Sequence, residues 1–281
     1  MDLIITLKAV ILGVLQGLTE FLPVSSSGHL VLAQHLFGIT DPELLFDIIL
    51  HLGTLTAIFI VFRSDIKRLA LEILSLPENL SSRRQIKNAF RNRPDFRLLV
   101  LILAGSIPTA LVGIIFKAPF KSFFTSTLIV GVALLFTGLI LFLTKRIKND
   151  SGNITQFGIF QALIIGLAQG LAITPGISRS GVTICCALFL GLEKKLATRY
   201  SFLLSIPAII GAFVIESGKL NSSAFGFLNL GFGFSAALLS GWLALVILIK
   251  VIRSGHFYYF SYYCWMMGFI TLWYTFYGFN S

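Results

Sequence analysis

Long apolar stretches separated by short polar segments run along almost the whole chain. Six of them are long enough to cross a bilayer as helices, which takes about 20 residues. Their approximate ranges are 44–63, 98–116, 123–144, 199–217, 225–250 and 257–278. The pattern predicts an all-α polytopic membrane protein with six transmembrane helices. No polar linker is long enough to separate two domains, so we expect a single membrane domain over residues 1–281.

Two regions, at about 3–38 and 155–192, interrupt this pattern. Each contains two apolar pieces separated by glycine, proline and serine, within LQGLTEFLPVSSSGHL (15–30) in the first and AQGLAITPGISRSGVT (168–183) in the second. Broken backbone survives at membrane depth only where it is buried in protein or lines a wet cavity. We therefore expect each region to be a re-entrant helix pair, which returns to the side it entered from.

The two interrupted regions also resemble each other in sequence. They align without a gap, and the identical pairs are Gln16 and Gln169, Gly17 and Gly170, Leu18 and Leu171, Ser25 and Ser178, Ser27 and Ser180, and Gly28 and Gly181. This similarity predicts two repeats, over 1–150 and 151–281, each of which begins with a re-entrant pair.

The distribution of charge indicates how the two repeats are oriented. Only 12% of the residues are charged, the mean hydropathy is +0.89 and the net charge is +10. The largest basic cluster, at about 64–97, is expected to be a cytoplasmic loop, because basic residues favour the inner side. The first re-entrant pair then enters from the outer face and the second from the inner face, which predicts an inverted-topology repeat. The positive charge is thus explained by topology and anionic headgroups, without a nucleic-acid partner.

Ionisable groups inside an apolar segment are functional candidates, because burying them in hydrocarbon is costly. The interrupted regions contain Glu20, His29 and Arg179. Arg179 has a planar fork suited to phosphate oxygens, and His29 can transfer protons near neutral pH. Serine hydroxyls and free N–H groups at helix starts form an anion pocket, and a serine near the histidine is a candidate nucleophile. The combination predicts phosphoryl transfer on a substrate with a phosphorylated head and an apolar tail.

Other interpretations of the same residues stay open at this point. Inverted repeats and broken helices are also typical of secondary transporters, so a transporter or polyprenyl-phosphate flippase is the alternative function. Taken singly, Glu20 would only neutralise Arg179, His29 would cap a helix, and the serines would satisfy broken backbone. A non-catalytic scaffold would leave the costly Glu20 and Arg179 without a role.

The motifs QGLTEFLPVSSSGHL and PGISRSGVT together resemble those of the bacitracin-resistance family of undecaprenyl-diphosphate phosphatases, and the similarity extends to LHLGTLTAIFIVFR and ATRYSFLLSIPAIIGA. The resemblance implies hydrolysis of undecaprenyl diphosphate to undecaprenyl phosphate and phosphate, which recycles the lipid carrier of peptidoglycan synthesis and confers bacitracin resistance. It also implies a divalent cation, Mg²⁺ or Ca²⁺, and a bacterial cell membrane with the active site facing the outer side. The expected partners are the lipid substrate and membrane lipids, with a homodimer left open.

The resemblance also implies roles for individual residues. Glu20 resembles the essential carboxylate and, with Gln16, a ligand of the cation, although many family members have Glu where this chain has Gln16. Ser26 resembles the nucleophile, His29 the base or an alternative nucleophile, and Arg179 the clamp on the diphosphate. The residues expected to bind the diphosphate are Ser25, Ser27, Gly28, Ser178, Ser180, Gly181 and Thr183. Attack by Ser26, by His29 or by water directly is left open.

Overall fold

The computed structural model describes residues 3–39, 44–75, 82–116, 123, 126–147, 152–217 and 225–277. These residues form twelve α-helices and no β-strand. The predicted boundary between the repeats, at 150–151, lies outside the described residues, as does the 76–81 part of the predicted basic loop.

The helices follow one another with short connections. In chain order they are α1 (Leu3–Phe21), α2 (Ser26–Leu36), α3 (Leu44–Val61), α4 (Arg63–Leu74), α5 (Arg83–Asn92), α6 (Pro94–Ile115), α7 (Thr127–Leu143), α8 (Ile159–Leu171), α9 (Arg179–Phe189), α10 (Lys194–Ser217), α11 (Phe227–Arg253) and α12 (Phe260–Tyr277).

Five of these helices, α1, α6, α7, α10 and α11, are long and apolar enough to cross a membrane. α3 and α4 together form a sixth candidate, with a bend of 85° between them. The six predicted spans coincide with α3, α6, α7, α10, α11 and α12, but α12 is not among the candidate spans, whereas α1, which was predicted to belong to a re-entrant pair, is one of them. The prediction of an all-α polytopic membrane protein is confirmed. α12 is rich in tyrosine and tryptophan, which are typical of a membrane–water interface.

Both predicted interruptions separate two helices. The chain breaks at 22–25 between α1 and α2, and at 172–178 between α8 and α9. α8 has 13 residues and α9 has 11, so they are about 20 Å and 17 Å long and shorter than a hydrocarbon core of about 30 Å. α1 has the length of a full span, and the re-entrant course of residues 3–38 therefore stays a prediction.

The helices that precede the two interruptions pack against the opposite half of the chain. α1 packs most extensively against α11, and α8 packs most extensively against α6. α3 also packs on α11 and α10 on α6, while α7 packs on α12. Each half therefore completes the packing of the other, as two interlocked repeats would, although the inversion of the repeats stays a prediction.

Glycines four residues apart make these two helix contacts close. α1 carries Gly13 and Gly17 on the face toward α11, and α8 carries Gly166 and Gly170 on the face toward α6. A Cβ on Gly166 would collide with the backbone carbonyl of Gly105. Small residues at this spacing let two helix backbones approach each other where lipid supplies no hydrophobic driving force.

The Gly166→Ala substitution should destabilise the protein by about 1–3 kcal/mol, because the methyl group would force α8 away from α6. Its Cβ would lie 2.8 Å from Pro108 Cγ, in addition to the clash with the carbonyl of Gly105. Unfolding in mixed micelles at increasing SDS fractions measures the change. Gly211→Ala is the matched control, since a Cβ there meets no atom within 4 Å. Equal stability of the two variants would contradict the close contact.

The basic segment at 64–97 contains helices and ion pairs. It includes most of α4, all of α5 and the first turn of α6. Arg199 of α10 approaches Asp65 of α4 at 2.6 Å and Asp95 of α6 at 3.1 Å, and thereby ties three helices together. Arg93 lies 2.7 Å from Glu72. Part of the basic charge is therefore used within the fold.

Candidate active site

The first interruption is a constrained turn between α1 and α2. Ser25 has a left-handed backbone with φ of 69°, which a residue other than glycine adopts only when its surroundings hold it. The Ser25 hydroxyl accepts a hydrogen bond from the backbone N–H of Gly176 at 3.0 Å. The Ser25 carbonyl accepts one from His29 Nδ1 at 2.8 Å. The turn is thus held both by α2 and by the second interruption.

The second interruption is held by α7. Gly176 has φ of 93°, and a Cβ at this position would lie 2.5 Å from the carbonyl oxygen of Val130. Thr137 of α7 donates a hydrogen bond to the Gly176 carbonyl at 3.0 Å and accepts one from the Ser178 N–H at 3.2 Å. Ser178 caps α9, because its hydroxyl accepts the N–H of Gly181 at 3.1 Å. This interruption therefore has a fixed conformation as well.

The two interruptions meet at a buried carboxylate. Arg179, the first residue of α9, donates from Nη2 to Glu20 Oε1 at 2.5 Å. Ser26, the first residue of α2, donates from Oγ to Glu20 Oε2 at 2.6 Å. The N-termini of α2 and α9 thus both lie beside Glu20. Such termini present free N–H groups and partial positive charge, which suit an anionic ligand.

Two further side chains approach the same carboxylate. Gln16, one turn earlier on α1, donates from Nε2 to Glu20 Oε2 at 3.1 Å, as the four-residue spacing predicts. His51 of α3 places Nε2 at 3.8 Å from Glu20 Oε2. Arg179 offsets the charge of Glu20, so the cluster as a whole can remain buried.

Two polar atoms beside Glu20 lack a hydrogen-bond partner among the described residues. They are Gln16 Oε1 and Arg179 Nη1. Gln16 is fully buried, and the side chain of Arg179 is only 16% exposed. Buried polar groups are nearly always paired in folded proteins. An unpaired acceptor and an unpaired donor at one place therefore indicate a site shaped for a ligand.

His29 uses both of its ring nitrogens within the protein. Nδ1 bonds the Ser25 carbonyl, and Nε2 lies 2.8 Å from the hydroxyl of Tyr263, whose ring stacks on the imidazole at 5.7 Å. Because a carbonyl only accepts, Nδ1 carries the proton and the tyrosine donates to Nε2. Ser26 has Glu20 as its acceptor, so the predicted pairing of Ser26 with His29 is not formed here. The role of His29 stays a prediction.

The expected diphosphate-binding residues divide into two groups. Ser25, Ser27 and Gly28 lie at the start of α2, where the Ser25 and Ser27 hydroxyls are 3.4 Å apart. Ser178, Ser180, Gly181 and Thr183 lie at the start of α9, where Ser180 and Thr183 are completely buried. The Ser180 hydroxyl lies 3.2 Å from that of Ser178, and the Thr183 hydroxyl contacts the Arg179 carbonyl at 2.7 Å, the Ser180 carbonyl at 3.4 Å and the hydroxyl of Ser201 in α10. Ser180 and Thr183 therefore secure α9 within the protein, and their predicted contact with substrate stays untested.

Sequence reasoning missed three residues that shape the site: His51, Tyr263 and Thr137. A histidine within the apolar α3 was a usable signal, since ionisable groups in such segments are functional candidates. Tyr263 is one of several tyrosines in α12, and Thr137 is a hydroxyl in an apolar helix. Nothing near them in the sequence distinguishes these two from ordinary interface or packing residues.

The residues beside Glu20 fit a hard divalent cation. The described residues contain no group of three or more His, Cys, Asp or Glu side chains that could hold a metal. Mg²⁺, however, is commonly held by one or two carboxylates together with substrate phosphates and water. The Glu20 carboxylate and the unpaired Gln16 Oε1 are oxygen donors of this kind.

The Tyr263→Phe substitution should lower the stability of the protein by about 1–3 kcal/mol, because it leaves the buried His29 Nε2 without a donor. Unfolding in mixed micelles measures the change. Tyr262→Phe is the matched control, since Tyr262 is the adjacent residue and is 50% exposed. If the two variants lose the same stability, the hydroxyl of Tyr263 does not hold His29.

Comparisons with known proteins cover almost the whole chain. A family model described as "Bacitracin resistance protein BacA" matches residues 9–270. A protein named undecaprenyl-diphosphatase from Desulforapulum autotrophicum is 47% identical over 94% of this chain and 96% of its own length. Proteins of the same name from Alkaliphilus metalliredigens and Methanobrevibacter smithii are 45% and 42% identical, over 95% and 96% of this chain and 98% and 97% of their own lengths.

Proposed function

This chain belongs to the bacitracin resistance protein BacA family, and on that basis we propose that it is an undecaprenyl-diphosphatase. It is a multi-pass membrane enzyme that hydrolyses undecaprenyl diphosphate to undecaprenyl phosphate and phosphate. Its product is the lipid carrier used in peptidoglycan synthesis, and its activity confers bacitracin resistance.

The observation that carries this proposal is the cluster of Glu20, Ser26 and Arg179 where two helices begin. One guanidinium nitrogen of Arg179 has no hydrogen-bond partner in the described part of the chain, although the side chain is largely buried. A guanidinium in this state suits a phosphate oxygen, which it can bind together with the free N–H groups of the α2 and α9 N-termini. The terminal phosphate would then lie beside the Ser26 hydroxyl.

The contacts of Ser26 favour a route through a phosphoserine. Ser26 Oγ attacks the terminal phosphorus while its proton passes to Glu20 Oε2, with which it already shares a hydrogen bond of 2.6 Å. An Oγ–P bond forms, the bond from phosphorus to the bridging oxygen breaks, and undecaprenyl phosphate leaves. Water then attacks the phosphorus of the phosphoserine, the Oγ–P bond breaks as the proton on Glu20 returns to Oγ, and phosphate leaves with both hydrogens of the water. Arg179 offsets the charge that develops on the phosphoryl oxygens.

Gln16 and Glu20 would hold the divalent cation, Mg²⁺ or Ca²⁺, that the family resemblance implies. When bound, the cation supplies positive charge near the phosphoryl oxygens. Attack by His29 remains the alternative to attack by Ser26 and would give a phosphohistidine. It requires His29 to release Tyr263 first, because both ring nitrogens are engaged.

The enzyme lies in a bacterial cell membrane. Basic segments favour the cytoplasmic side, so the segment at 64–97 is placed there and the active site faces the outer side. The lipid tail of the substrate extends into the bilayer, and the other partners are membrane lipids. A second copy of this chain, in a homodimer, is left open as a further partner.

Hydrolysis is favoured over transport as the function of this chain. The relatives compared above are all named as phosphatases. A transporter or flippase also has no need for a serine that donates to a buried carboxylate next to an arginine. The Ser26→Ala variant distinguishes the two functions, since it should abolish phosphate release and leave a transport activity intact.

Phosphate release by the purified full-length protein from undecaprenyl diphosphate tests the proposal, with a liposome assay of lipid flipping in parallel. We expect release by the wild type, none after chelation of divalent cations, and none by Ser26→Ala. Acid quenching during turnover and mass spectrometry should recover phosphate on Ser26. Lipid flipping without phosphate release would overturn the proposal, and phosphate recovered on His29 would overturn the assignment of the nucleophile.

A further inference from the structure

His51 is an ionisable side chain at the site that neither the Ser26 route nor the His29 route uses. It extends from α3 toward Glu20 and is 37% exposed, whereas the Glu20 side chain is 8% exposed. Its Nδ1 lies 2.8 Å from the backbone carbonyl oxygen of Asp47, one turn earlier on the same helix. Its Nε2 lies 3.8 Å from Glu20 Oε2. The imidazole is therefore held at one nitrogen and free at the other.

The hydrogen bond to Asp47 assigns the proton of the imidazole. A carbonyl oxygen only accepts, so Nδ1 carries a hydrogen, and in the neutral imidazole Nε2 presents a lone pair. The 3.8 Å between Nε2 and Glu20 Oε2 exceeds the roughly 2.7–3.2 Å of an ordinary N–H···O bond, so no hydrogen bond joins these two atoms. Glu20 already has Arg179 as its counter-charge. The His51 nitrogen and the Glu20 oxygen are thus two acceptors that face each other.

A third acceptor belongs to the same cluster. Gln16 Oε1 is fully buried and unpaired, while Nε2 of the same amide contacts Glu20 Oε2. Gln16 and His51 thus both approach Glu20, and each brings one acceptor atom without a hydrogen-bond partner among the described residues. Histidines that bind metals usually donate their other ring N–H to a backbone carbonyl or a carboxylate, as His51 does to Asp47.

The second half of the chain indicates that packing does not require an imidazole here. A shift of 153 residues pairs Glu20 with Ile173. Further along the chain a shift of 154 pairs FDIILHLGTLTAIF (46–59) with YSFLLSIPAIIGAF (200–213), and therefore His51 with Ser205. Ser205 is completely buried and donates to the carbonyl of Phe202 in its own helix at 2.7 Å. The carboxylate and the imidazole are thus present together in one half and absent together from the other, as expected of two groups that share a ligand. The glutamine is kept as Gln169, whose Oε1 is likewise buried without a hydrogen-bond partner among the described residues, so the carboxylate and the imidazole are what distinguish the first half.

We propose that His51 Nε2, Glu20 and Gln16 bind one divalent cation, and that the imidazole raises the affinity of this site for Mn²⁺ and Co²⁺ relative to Ca²⁺. An imidazole nitrogen favours transition metals over Mg²⁺ and Ca²⁺, and the gain increases along the series from Mn²⁺ to Co²⁺. This inference rests on the proposed function, because it assumes that the hydrolytic site contains a cation. Binding of the cation is nevertheless measured without any hydrolysis of the substrate.

Pulsed EPR of the full-length protein in detergent, loaded with Mn²⁺, tests the inference directly. We expect hyperfine coupling between Mn²⁺ and an imidazole nitrogen in the wild type and no such coupling in His51→Gln. Titration should give at least about a 10-fold weaker affinity of His51→Gln for Mn²⁺, with the affinity for Ca²⁺ nearly unchanged. His256→Gln is the matched control, because His256 is exposed and follows the end of α11.

Wild-type protein without the nitrogen coupling would overturn the inference, as would coupling that persists in His51→Gln. Equal weakening of Mn²⁺ binding in His51→Gln and His256→Gln would also overturn it. A wild type that gives the expected nitrogen signal but releases no phosphate from undecaprenyl diphosphate would support the cation site and contradict the proposed function. The wild-type spectrum needs no variant, so the test does not depend on whether His51→Gln folds.

Discussion

Replacing Arg179 by alanine is expected to lower kcat/KM for undecaprenyl diphosphate by about 10³-fold or more. The guanidinium binds Glu20 with Nη2 and keeps Nη1 unpaired at the start of α9. The variant therefore loses both a group that binds the substrate and a group that stabilises the phosphoryl transfer, so KM should rise and kcat should fall. Initial rates of phosphate release by purified protein measure both constants.

Arg253→Ala is the matched control for this loss, because Arg253 is exposed at the end of α11. Arg179→Lys should recover only part of the activity, since an ammonium keeps the charge but lacks the planar fork. Turnover of Arg179→Ala within a few-fold of the wild type would remove the guanidinium from the mechanism. Rates are compared per amount of folded protein, because Arg179→Ala leaves Glu20 buried without its ion-pair partner, which lowers the stability of the variant by about 3–5 kcal/mol.

With divalent cation at saturation, replacing Glu20 by glutamine is expected to lower kcat by about 10³-fold with KM unchanged or decreased. The amide cannot accept the Ser26 proton, which is the step assigned to Glu20 Oε2. Loss of the carboxylate also releases Arg179 Nη2, which then becomes available to the substrate. Arg179→Ala should therefore raise KM, whereas Glu20→Gln should leave KM unchanged or lower it, although both variants are nearly inactive.

Glu193→Gln, in the turn before α10, is the matched control for Glu20→Gln. Phosphate release over a range of substrate concentrations separates kcat from KM. An increase in KM with unchanged kcat in Glu20→Gln would mean that the carboxylate only orders the binding site. The assignment of Glu20 as the acceptor of the serine proton would then be wrong.

The helices were predictable because their signals are local. Apolar stretches of sufficient length marked the six spans, and glycine, proline and serine marked the breaks at 22–25 and 172–178. The proximity of Glu20 and Arg179 was also predictable, because two opposite charges in apolar segments are costly unless they meet. The structure joins them at 2.5 Å.

The contacts around this pair were not predictable from local patterns. Ser26 precedes His29 by less than one helical turn, which suggested that they interact, yet the α2 start directs Ser26 to Glu20. His29 instead meets Tyr263, which is 234 residues away in the chain. That partner is brought to His29 by the packing of α12 on α7. Neither periodicity nor composition carries information about that packing.

α1 and α8 each pack against a helix of the other half of the chain, and this determines when the site can assemble during synthesis. α1 emerges first, but Thr6 near its start bonds Asn229, and Gly13 contacts Gly233, both on α11. Until the ribosome has delivered that late helix, the segment that carries Glu20 stands in lipid without its main neighbour. The nascent chain should therefore remain open to membrane chaperones and proteases almost to its end, and the carboxylate and guanidinium should come together only in the last stages of insertion.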